Sequence, residues 1–159
     1  MVTMRPARRS VGAIGLGLTA VGEALLVLSF TTLDWYSDAG SGNALTFGTL
    51  RDLTDTIRGP GVTRAYFGWL AWVLFALAGV VAVLANLPAT SGRRVGVAGA
   101  AIGVAGAVLT YVALWRFFST LRDAGAGDVG AFTHAAAGVY VALGGFLVIA
   151  LGAAAGARK

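Results

Sequence analysis

The sequence predicts an all-α membrane protein, built as an antiparallel bundle of four transmembrane helices. Three observations lead to this fold class. Hydrophobic residues make up 57% of the 159 residues and charged residues only 12%, whereas soluble domains carry about 25% charged residues. The mean hydropathy is +0.79. Four apolar stretches are each long enough to cross the hydrocarbon of a bilayer, about 30 Å thick, which takes about 20 helical residues.

The first of these stretches follows Arg5, Arg8 and Arg9, an order that is also found in secretory signal peptides. It is longer than the roughly 7–15 apolar residues of a signal peptide, and no small-residue cleavage site follows it. We therefore interpret it as a retained transmembrane helix. Within one membrane domain of residues 1–159, the predicted spans are 11–33, 66–87, 95–118 and 132–157.

Basic residues indicate the orientation of the chain, because cytoplasmic loops of membrane proteins are enriched in lysine and arginine. Three segments contain cations and no acid: the N-terminal tail, the loop between the second and third spans, and the C-terminus. Their cations are Arg5, Arg8, Arg9, Arg93, Arg94, Arg158 and Lys159. We therefore predict a plasma-membrane protein with both termini in the cytoplasm and with external loops at 34–65 and 119–131.

The first external loop contains a predicted amphipathic helix, with Thr46 as its N-cap. Its apolar face consists, at helical spacing, of Phe47, Leu50, Leu53, Thr54 and Ile57. The helix either lies on the outer surface, where it caps the bundle or docks a partner, or tucks its apolar face over the helix ends. The second external loop contains several glycines, which predict a flexible connector.

Residue size varies with depth in the predicted bundle. Glycines concentrate in the cytoplasmic halves of the spans, at spacings that let neighbouring helices approach closely. The glycines predicted to pack helices are Gly99, Gly103, Gly145, Gly152 and Gly156. The four tryptophans lie toward the external side, where Trp35 and Tyr36 suit the membrane–water interface. We infer a tapered bundle that is closely packed at its cytoplasmic end and more open at its outer end. The outer half either holds a cavity accessible to a ligand or lipid, or its aromatics form a belt, pack in bulk or contact a partner.

Glu23 lies near the middle of the first span. Insertion of an ionisable side chain at that depth costs about 2.5–3.5 kcal/mol by insertion scales, so Glu23 is a candidate functional residue. Thr19, Gly22 and Leu26 share its helical face, so we expect that face to point into the bundle. Burial in hydrocarbon favours the neutral acid. Three roles stay open: a carrier of a proton or cation, a protonated hydrogen-bond donor between helices, or a partner of a residue on another subunit.

Other polar and aromatic residues extend the candidate site. Thr110, Tyr111 and Tyr140 are candidate hydrogen-bond partners of Glu23, and Arg116 either extends to the interface or pairs with Asp34. The complete set of candidate binding residues is Glu23, Tyr111, Arg116, Tyr140, Trp69, Trp72 and Trp115. We predict no metal site, because no cluster of metal-binding side chains accompanies His134.

Several function classes have no support in the sequence. The chain contains no cysteine, which excludes disulfides and thiolate chemistry. It has no serine–histidine–acid set at matching depth and no phosphate-binding glycine loop. Its basic residues form no stripe interleaved with aromatics, as nucleic-acid binding would require. We therefore predict no enzymatic activity, no cofactor and no nucleic-acid partner.

The stretch 28–36 reads Leu-Ser-Phe-Thr-Thr-Leu-Asp-Trp-Tyr and is followed by a glycine-rich segment and three helices rich in alanine, glycine and valine. In this layout the chain resembles a group of uncharacterised four-helix membrane proteins from actinobacteria. The resemblance covers most of the chain and implies no activity. With one glutamate in the first of four helices, the chain is also similar to the small multidrug resistance transporters, which are shorter and lack a long external segment.

Together these observations favour a non-enzymatic subunit or accessory protein of a plasma-membrane complex. Such a protein contacts the lipid bilayer and packs its helices against other membrane proteins, or against a second copy of itself. The alternative is a small transporter, or a lipid- or solute-binding protein, that uses the membrane-embedded Glu23.

Overall fold

The computed structural model describes residues 7–38, 42–56, 61–88, 92–123, 125 and 132–157. In these residues the chain forms helices and one β-hairpin. The elements are α1 (Ala7–Thr31), β1 (Asp34–Asp38), β2 (Asn43–Thr46), α2 (Phe47–Thr56), α3 (Gly61–Asn86), α4 (Arg93–Asp123) and α5 (Ala137–Gly156). Helices α1, α3, α4 and α5 are long and apolar enough to cross a membrane. The prediction of four such helices is confirmed.

All four helices have bounds that differ from the predicted spans, and α1 runs from Ala7 to Thr31 where the prediction was 11–33. Helix α3 begins at Gly61, in a polar segment where Arg64 forms an ion pair with Asp55 of α2 at 3.0 Å. Helix α4 continues beyond the apolar stretch to Asp123. Helix α5 begins later than predicted, because residues 132–134 form a turn and Ala135 pairs with β1. Hydropathy does not mark these bounds, since backbone hydrogen bonds and contacts outside the apolar stretches set them.

Helix α3 contains a π-helical turn, Tyr66–Leu70, between its α-helical parts Gly61–Ala65 and Ala71–Asn86. In a π-turn an N–H bonds to the carbonyl five residues earlier, and the N–H of Ala71 donates to the carbonyl of Tyr66. Tyr66 and Phe67 are both fully buried, with ring centroids 5.4 Å apart. The irregular turn therefore places two consecutive aromatic rings inside the bundle.

The β-hairpin is absent from the sequence-based prediction, which treats this part of the loop as an interfacial aromatic pair and a turn. Strands β1 and β2 pair in antiparallel fashion. On its other side β1 bonds to the segment before α5: Ser37 N–H donates to His134 O at 3.0 Å, and Ala136 N–H donates to Trp35 O at 3.2 Å. The strand β1 therefore connects the first loop to the beginning of the last helix.

Helix α2 lies where the sequence predicts an amphipathic helix. Thr46 accepts a long hydrogen bond of 3.4 Å from Thr49 N–H, as expected of an N-cap. The apolar face is buried at Phe47, Leu50 and Thr54 and half-buried at Leu53, whereas Ile57 lies outside the described residues. Because this face is covered by the chain's own helices, the structure agrees with the interpretation that α2 tucks its apolar face over the helix ends.

Glycines bring α5 into close contact with both α1 and α4. A Cβ atom added at Gly22 would lie 2.7 Å from the carbonyl oxygen of Gly145, and one at Gly103 would lie 2.8 Å from that of Phe146. At these positions the backbones of two helices touch, so no larger residue fits without a shift. The glycines proposed from the sequence as packing residues, Gly99, Gly103, Gly145, Gly152 and Gly156, are all buried.

The two ends of the bundle are built differently, and we name them by their residues. The arginine end contains Arg93 and Arg94, where α4 begins, together with the last turns of α3 and α5. The hairpin end contains β1, β2 and α2. Aromatic side chains, each at most 5% exposed, fill the interior near the hairpin end; they are Phe30, Trp35, Phe47, Tyr66, Phe67, Phe117 and Phe118.

This aromatic cluster corrects two expectations. Trp35 is fully buried and donates its Nε1–H to the carbonyl of Ser29 at 2.8 Å, so it does not belong to an interfacial belt. A glycine also makes room for it, because a Cβ at Gly138 would lie 2.5 Å from the Trp35 ring. The described side chains therefore fill the half of the bundle that we expected to be more open.

Candidate functional site

Glu23 lies on the side of α1 that faces α3, against Gly79. The residues expected to share its face have a different neighbour, because Thr19, Gly22 and Leu26 all pack against α5. Glu23 is half-buried, whereas Thr19, Gly22 and Leu26 are buried. The expectation that all four point together into the bundle is wrong: the carboxyl group lies at the side of the bundle, in the crevice between α1 and α3.

Gly79 provides the space for this carboxyl group. A Cβ atom at Gly79 would lie 2.8 Å from the carboxyl carbon of Glu23, well inside the roughly 3.5–4.0 Å at which carbon atoms touch favourably. The carboxyl group therefore rests on the backbone of α3. Toward the hairpin end, α1 and α3 meet again where Phe30 contacts Trp72, with ring centroids 5.2 Å apart.

The crevice forms a groove of about 410 Å³ that is open along the side of the bundle. We call it the Glu23 groove; it is lined by Glu23, Ala76, Gly79, Val80, Val83 and Leu84. Its wall is apolar apart from the carboxyl group. Glu23 Oε1 is buried and forms no hydrogen bond to any residue that the structure describes. The groove can therefore offer one hydrogen-bonding or charged group to a molecule that is otherwise apolar.

The predicted hydrogen-bond partners of Glu23 lie elsewhere. Tyr66 O–H donates to Thr110 Oγ1 at 2.5 Å, and Thr110 in turn donates to the carbonyl of Gly106 at 2.8 Å. Tyr111 is 49% exposed and stacks on Phe132. Tyr140 is 54% exposed. The hypothesis that one of these hydroxyl groups bonds to Glu23 is therefore wrong.

The three tryptophans proposed as binding residues lie on the outside of the bundle. The exposed fractions are 58% for Trp69, 39% for Trp72 and 49% for Trp115. The guanidinium of Arg116 lies 5.4 Å from the ring centroid of Trp115, a cation–π contact worth about 0.5–1 kcal/mol at an exposed site. Within the described residues Arg116 forms no ion pair with Asp34. These side chains and Glu23 therefore do not converge on one site.

Asn86, near the arginine end, is a polar residue that the sequence-based candidates omit. It is 3% exposed, and its Nδ2 donates to the carbonyls of Ala82 at 2.9 Å and Gly152 at 3.0 Å. A Cβ at Gly15 would overlap its amide group. Helices α1, α3 and α5 therefore meet at Asn86. The signal that could have identified it is a single amide at the end of an otherwise apolar stretch.

A second groove runs along α4 and α5 on the arginine-end half of the bundle. It has a volume of about 580 Å³ and is lined by Gly96, Val97, Ala100, Ala101, Val104, Ala105, Val108, Ala154 and Ala157. We call it the α4–α5 groove. Beside it, a hollow of about 490 Å³ is lined by Arg93, Arg94, Val97, Ala98 and Ala101. The two spaces share Val97 and Ala101, so the apolar groove leads directly to two arginines.

The described residues contain no group of three or more metal-binding side chains. His134 is half-buried, and its ring lies 5.5 Å from that of Tyr36. In the described part of the chain, the two grooves are candidate sites for another molecule. No family model matches this chain, and no curated protein is similar to it in sequence.

Proposed function

We propose that this chain is a non-enzymatic accessory subunit of a plasma-membrane complex, which binds a transmembrane helix of a partner protein in the Glu23 groove. One observation carries the proposal: Glu23 lines an apolar groove that opens sideways, and its Oε1 has no hydrogen-bond partner in the described chain. An ionisable group at this depth costs about 2.5–3.5 kcal/mol by insertion scales. A partner that hydrogen-bonds to the carboxyl group would offset part of that cost.

The proposed topology is an antiparallel four-helix bundle with both termini in the cytoplasm. Contacts between helices support it, since residues 15, 22 and 29 of α1 lie near residues 152, 145 and 138 of α5, in reverse order. The cations without neighbouring acids support the cytoplasmic position of the arginine end. In this topology the β-hairpin and α2 are external, and Glu23 lies near the middle of the bilayer.

The walls of the groove suit a helix as the bound partner. Ala76 and Gly79 have small side chains, which allow another helix to approach the backbone of α3 closely. Val80, Val83 and Leu84 are each at least 37% exposed and offer apolar contact on either side. A hydrogen-bonding side chain on the partner would reach Glu23 and fix the register of the two helices.

Cross-linking in native membranes tests this proposal cleanly, because the chain has no cysteine. We expect the Val80→Cys variant, in which residue 80 is 58% exposed, to cross-link to a partner membrane protein. Leu147→Cys is the matched control, since Leu147 is 47% exposed on α5 and does not line either groove. Equal cross-linking at both positions, or a chain that purifies alone and monomeric, would contradict the proposal.

Substitution of Glu23 completes the test. The Glu23→Gln variant keeps a group that donates and accepts hydrogen bonds, so we expect it to retain the cross-link at position 80. The Glu23→Leu variant removes that group, and we expect it to lose most of the cross-link while the folded monomer stays intact. Retention of the partner in the leucine variant would show that the carboxyl group does not contribute to binding.

A second candidate function is a small transporter, or a lipid- or solute-binding protein, that uses Glu23 as a carrier. The volume of the Glu23 groove, about 410 Å³, favours it, since small-molecule sites in proteins are about 300–1,000 Å³. For a carrier, the expected result of Glu23→Gln is the opposite of that expected for a helix-binding subunit. A carrier that releases and takes up protons would lose its activity with Glu23→Gln and keep part of it with Glu23→Asp, as measured by proton flux in proteoliposomes.

A further inference from the structure

The α4–α5 groove is long and apolar, with a volume of about 580 Å³. Its lining runs along α4 from Gly96 to Val108, a length of about 18 Å at 1.5 Å per residue. On α5 it is bounded by Ala154 and Ala157. Every lining residue is glycine, alanine or valine, so the groove offers no hydrogen-bonding side chain. Its shape and chemistry match an extended hydrocarbon chain.

A cationic hollow adjoins this groove at the arginine end. Arg93 and Arg94 both line the hollow and are both exposed. Neither forms an ion pair with an acid in the described chain, where the ion pair present is Arg64–Asp55. The loop that carries these arginines contains no acidic residue. No acid in the described part of the chain therefore neutralises the positive charge at this end of the groove.

The beginning of α4 adds to this charge. Arg93 is the first residue of a 31-residue helix with no acid in its first turn. The first N–H groups of a helix have no partner within it, and the helix dipole places partial positive charge there. The guanidinium group is planar and binds phosphate through two parallel hydrogen bonds. Two arginines and the N-terminus of a helix therefore favour the binding of a phosphate group in the hollow.

We propose that this site binds an anionic phospholipid, with one acyl chain in the α4–α5 groove and the phosphate on Arg93 and Arg94. Basic pockets between transmembrane helices on the cytoplasmic side are known to suit anionic headgroups. A free phosphate would use the arginines and leave the groove unused, and a partner helix would use the groove without needing the arginines. Only an anionic amphiphile uses both. The site is independent of the Glu23 groove, which is formed by α1 and α3.

Lipid binding to the full-length protein in detergent tests the proposal, by native mass spectrometry at rising lipid concentration. We expect phosphatidylglycerol to bind saturably and at least about tenfold more tightly than phosphatidylcholine, because two arginines contribute to the headgroup contact. The Arg93→Gln/Arg94→Gln variant should lose this preference. Arg116→Gln is the matched control, since Arg116 is an exposed arginine at the other end of the same helix.

A second variant tests the groove itself. Ala101→Phe fills the space shared by the groove and the hollow, so we expect it to lower phosphatidylglycerol affinity although both arginines remain. Leu147→Phe, on the outside of α5, is its control. Inorganic phosphate should compete only at far higher concentration, because it gains no contact from the groove.

Four results would overturn the proposal. The first is equal affinity for phosphatidylglycerol and phosphatidylcholine. The second is unchanged affinity in the double arginine variant, whose exposed positions allow it to fold. The third is binding of inorganic phosphate with the same affinity as phosphatidylglycerol, which would identify a simple anion site. If a co-purified protein helix occupies the groove and lipid does not displace it, the groove is a protein interface and the proposal fails.

Discussion

At the arginine end the helices of this bundle touch through their backbones, whereas at the hairpin end aromatic rings lie between them. Where Gly152 of α5 meets Gly15 of α1, the carbonyl oxygen of Gly15 lies 2.8 Å from the place that a Cβ of residue 152 would occupy. Around Trp35, by contrast, rings of α1, α2 and α3 pack with centroids 5.1–6.0 Å from that of Trp35, and those of Phe47 and Phe67 meet it edge to face. The two halves therefore reach close packing by opposite means.

Because of this difference, the two halves are expected to accept different substitutions. Backbone contact depends on the absence of a side chain, so an added methyl group is enough to separate two helices. Ring packing depends on the presence of large side chains, each of which buries roughly 150–250 Å². We expect the arginine-end half to be sensitive to added volume and the hairpin-end half to be sensitive to lost volume.

The largest expected effect is the removal of Trp35. The Trp35→Ala variant loses a fully buried ring and its hydrogen bond to Ser29, so we expect the free energy of unfolding to fall by about 3–5 kcal/mol. Reversible unfolding in mixed micelles measures it. Trp69→Ala, at a position that is 58% exposed, should change stability far less. If the two variants are equally destabilised, the buried aromatic cluster does not hold this half together.

A smaller loss should follow when volume is added to the glycine-packed half. A Cβ at Gly152 would lie 2.8 Å from the carbonyl of Gly15, so we expect Gly152→Ala to cost about 1–3 kcal/mol by overpacking. Gly144 of the same helix has open space around it. There the same change should stabilise the protein by up to about 1 kcal/mol, because alanine favours helix. The same sign at both positions would contradict backbone packing as the reason for these glycines.

The smallest expected effect is the loss of one hydrogen bond between helices. Tyr66 donates to Thr110 across α3 and α4, and hydrogen bonds in membrane bundles are worth about 0.6 kcal/mol on average. A double-mutant cycle with Tyr66→Phe and Thr110→Val should give a coupling energy of that order. A coupling of several kcal/mol would mean that this polar contact, more than the rings, joins α3 to α4.

Glu23 and Asn86 show a second contrast. Both are single polar residues in apolar helices, and both lie next to a glycine of a neighbouring helix. Asn86 of α3 points toward α1 and α5 and bonds to α5, so its role is internal. Glu23 points into an open groove, and its Oε1 has no hydrogen bond in the described chain. The sequence analysis selected the charged residue, but the sequence does not show which of the two side chains faces inward.

Much of the fold could be predicted because it depends on local composition. Four apolar stretches give four long helices, and the spacing of Phe47, Leu50 and Thr54 gives α2. The prediction missed the hairpin, and no local pattern shows that Ser37 and Trp35 also bond to residues about 100 positions away. The candidate site was predicted only in part. Glu23 was identified, but its supposed partners Tyr111 and Tyr140 lie exposed on other faces.

The helical fold class, the number of helices long and apolar enough to cross a membrane, and the unequal distribution of glycine and tryptophan all follow from the sequence alone. Hydrophobicity and residue size are properties of the residues, so they can be read before folding. The sequence does not show which face of each helix meets which neighbour, because tertiary packing sets these contacts. A rotation of one residue along α1 separates Gly22, which packs on α5, from Glu23, which lies against α3. That choice depends on how all four helices pack together, and no single helix contains it.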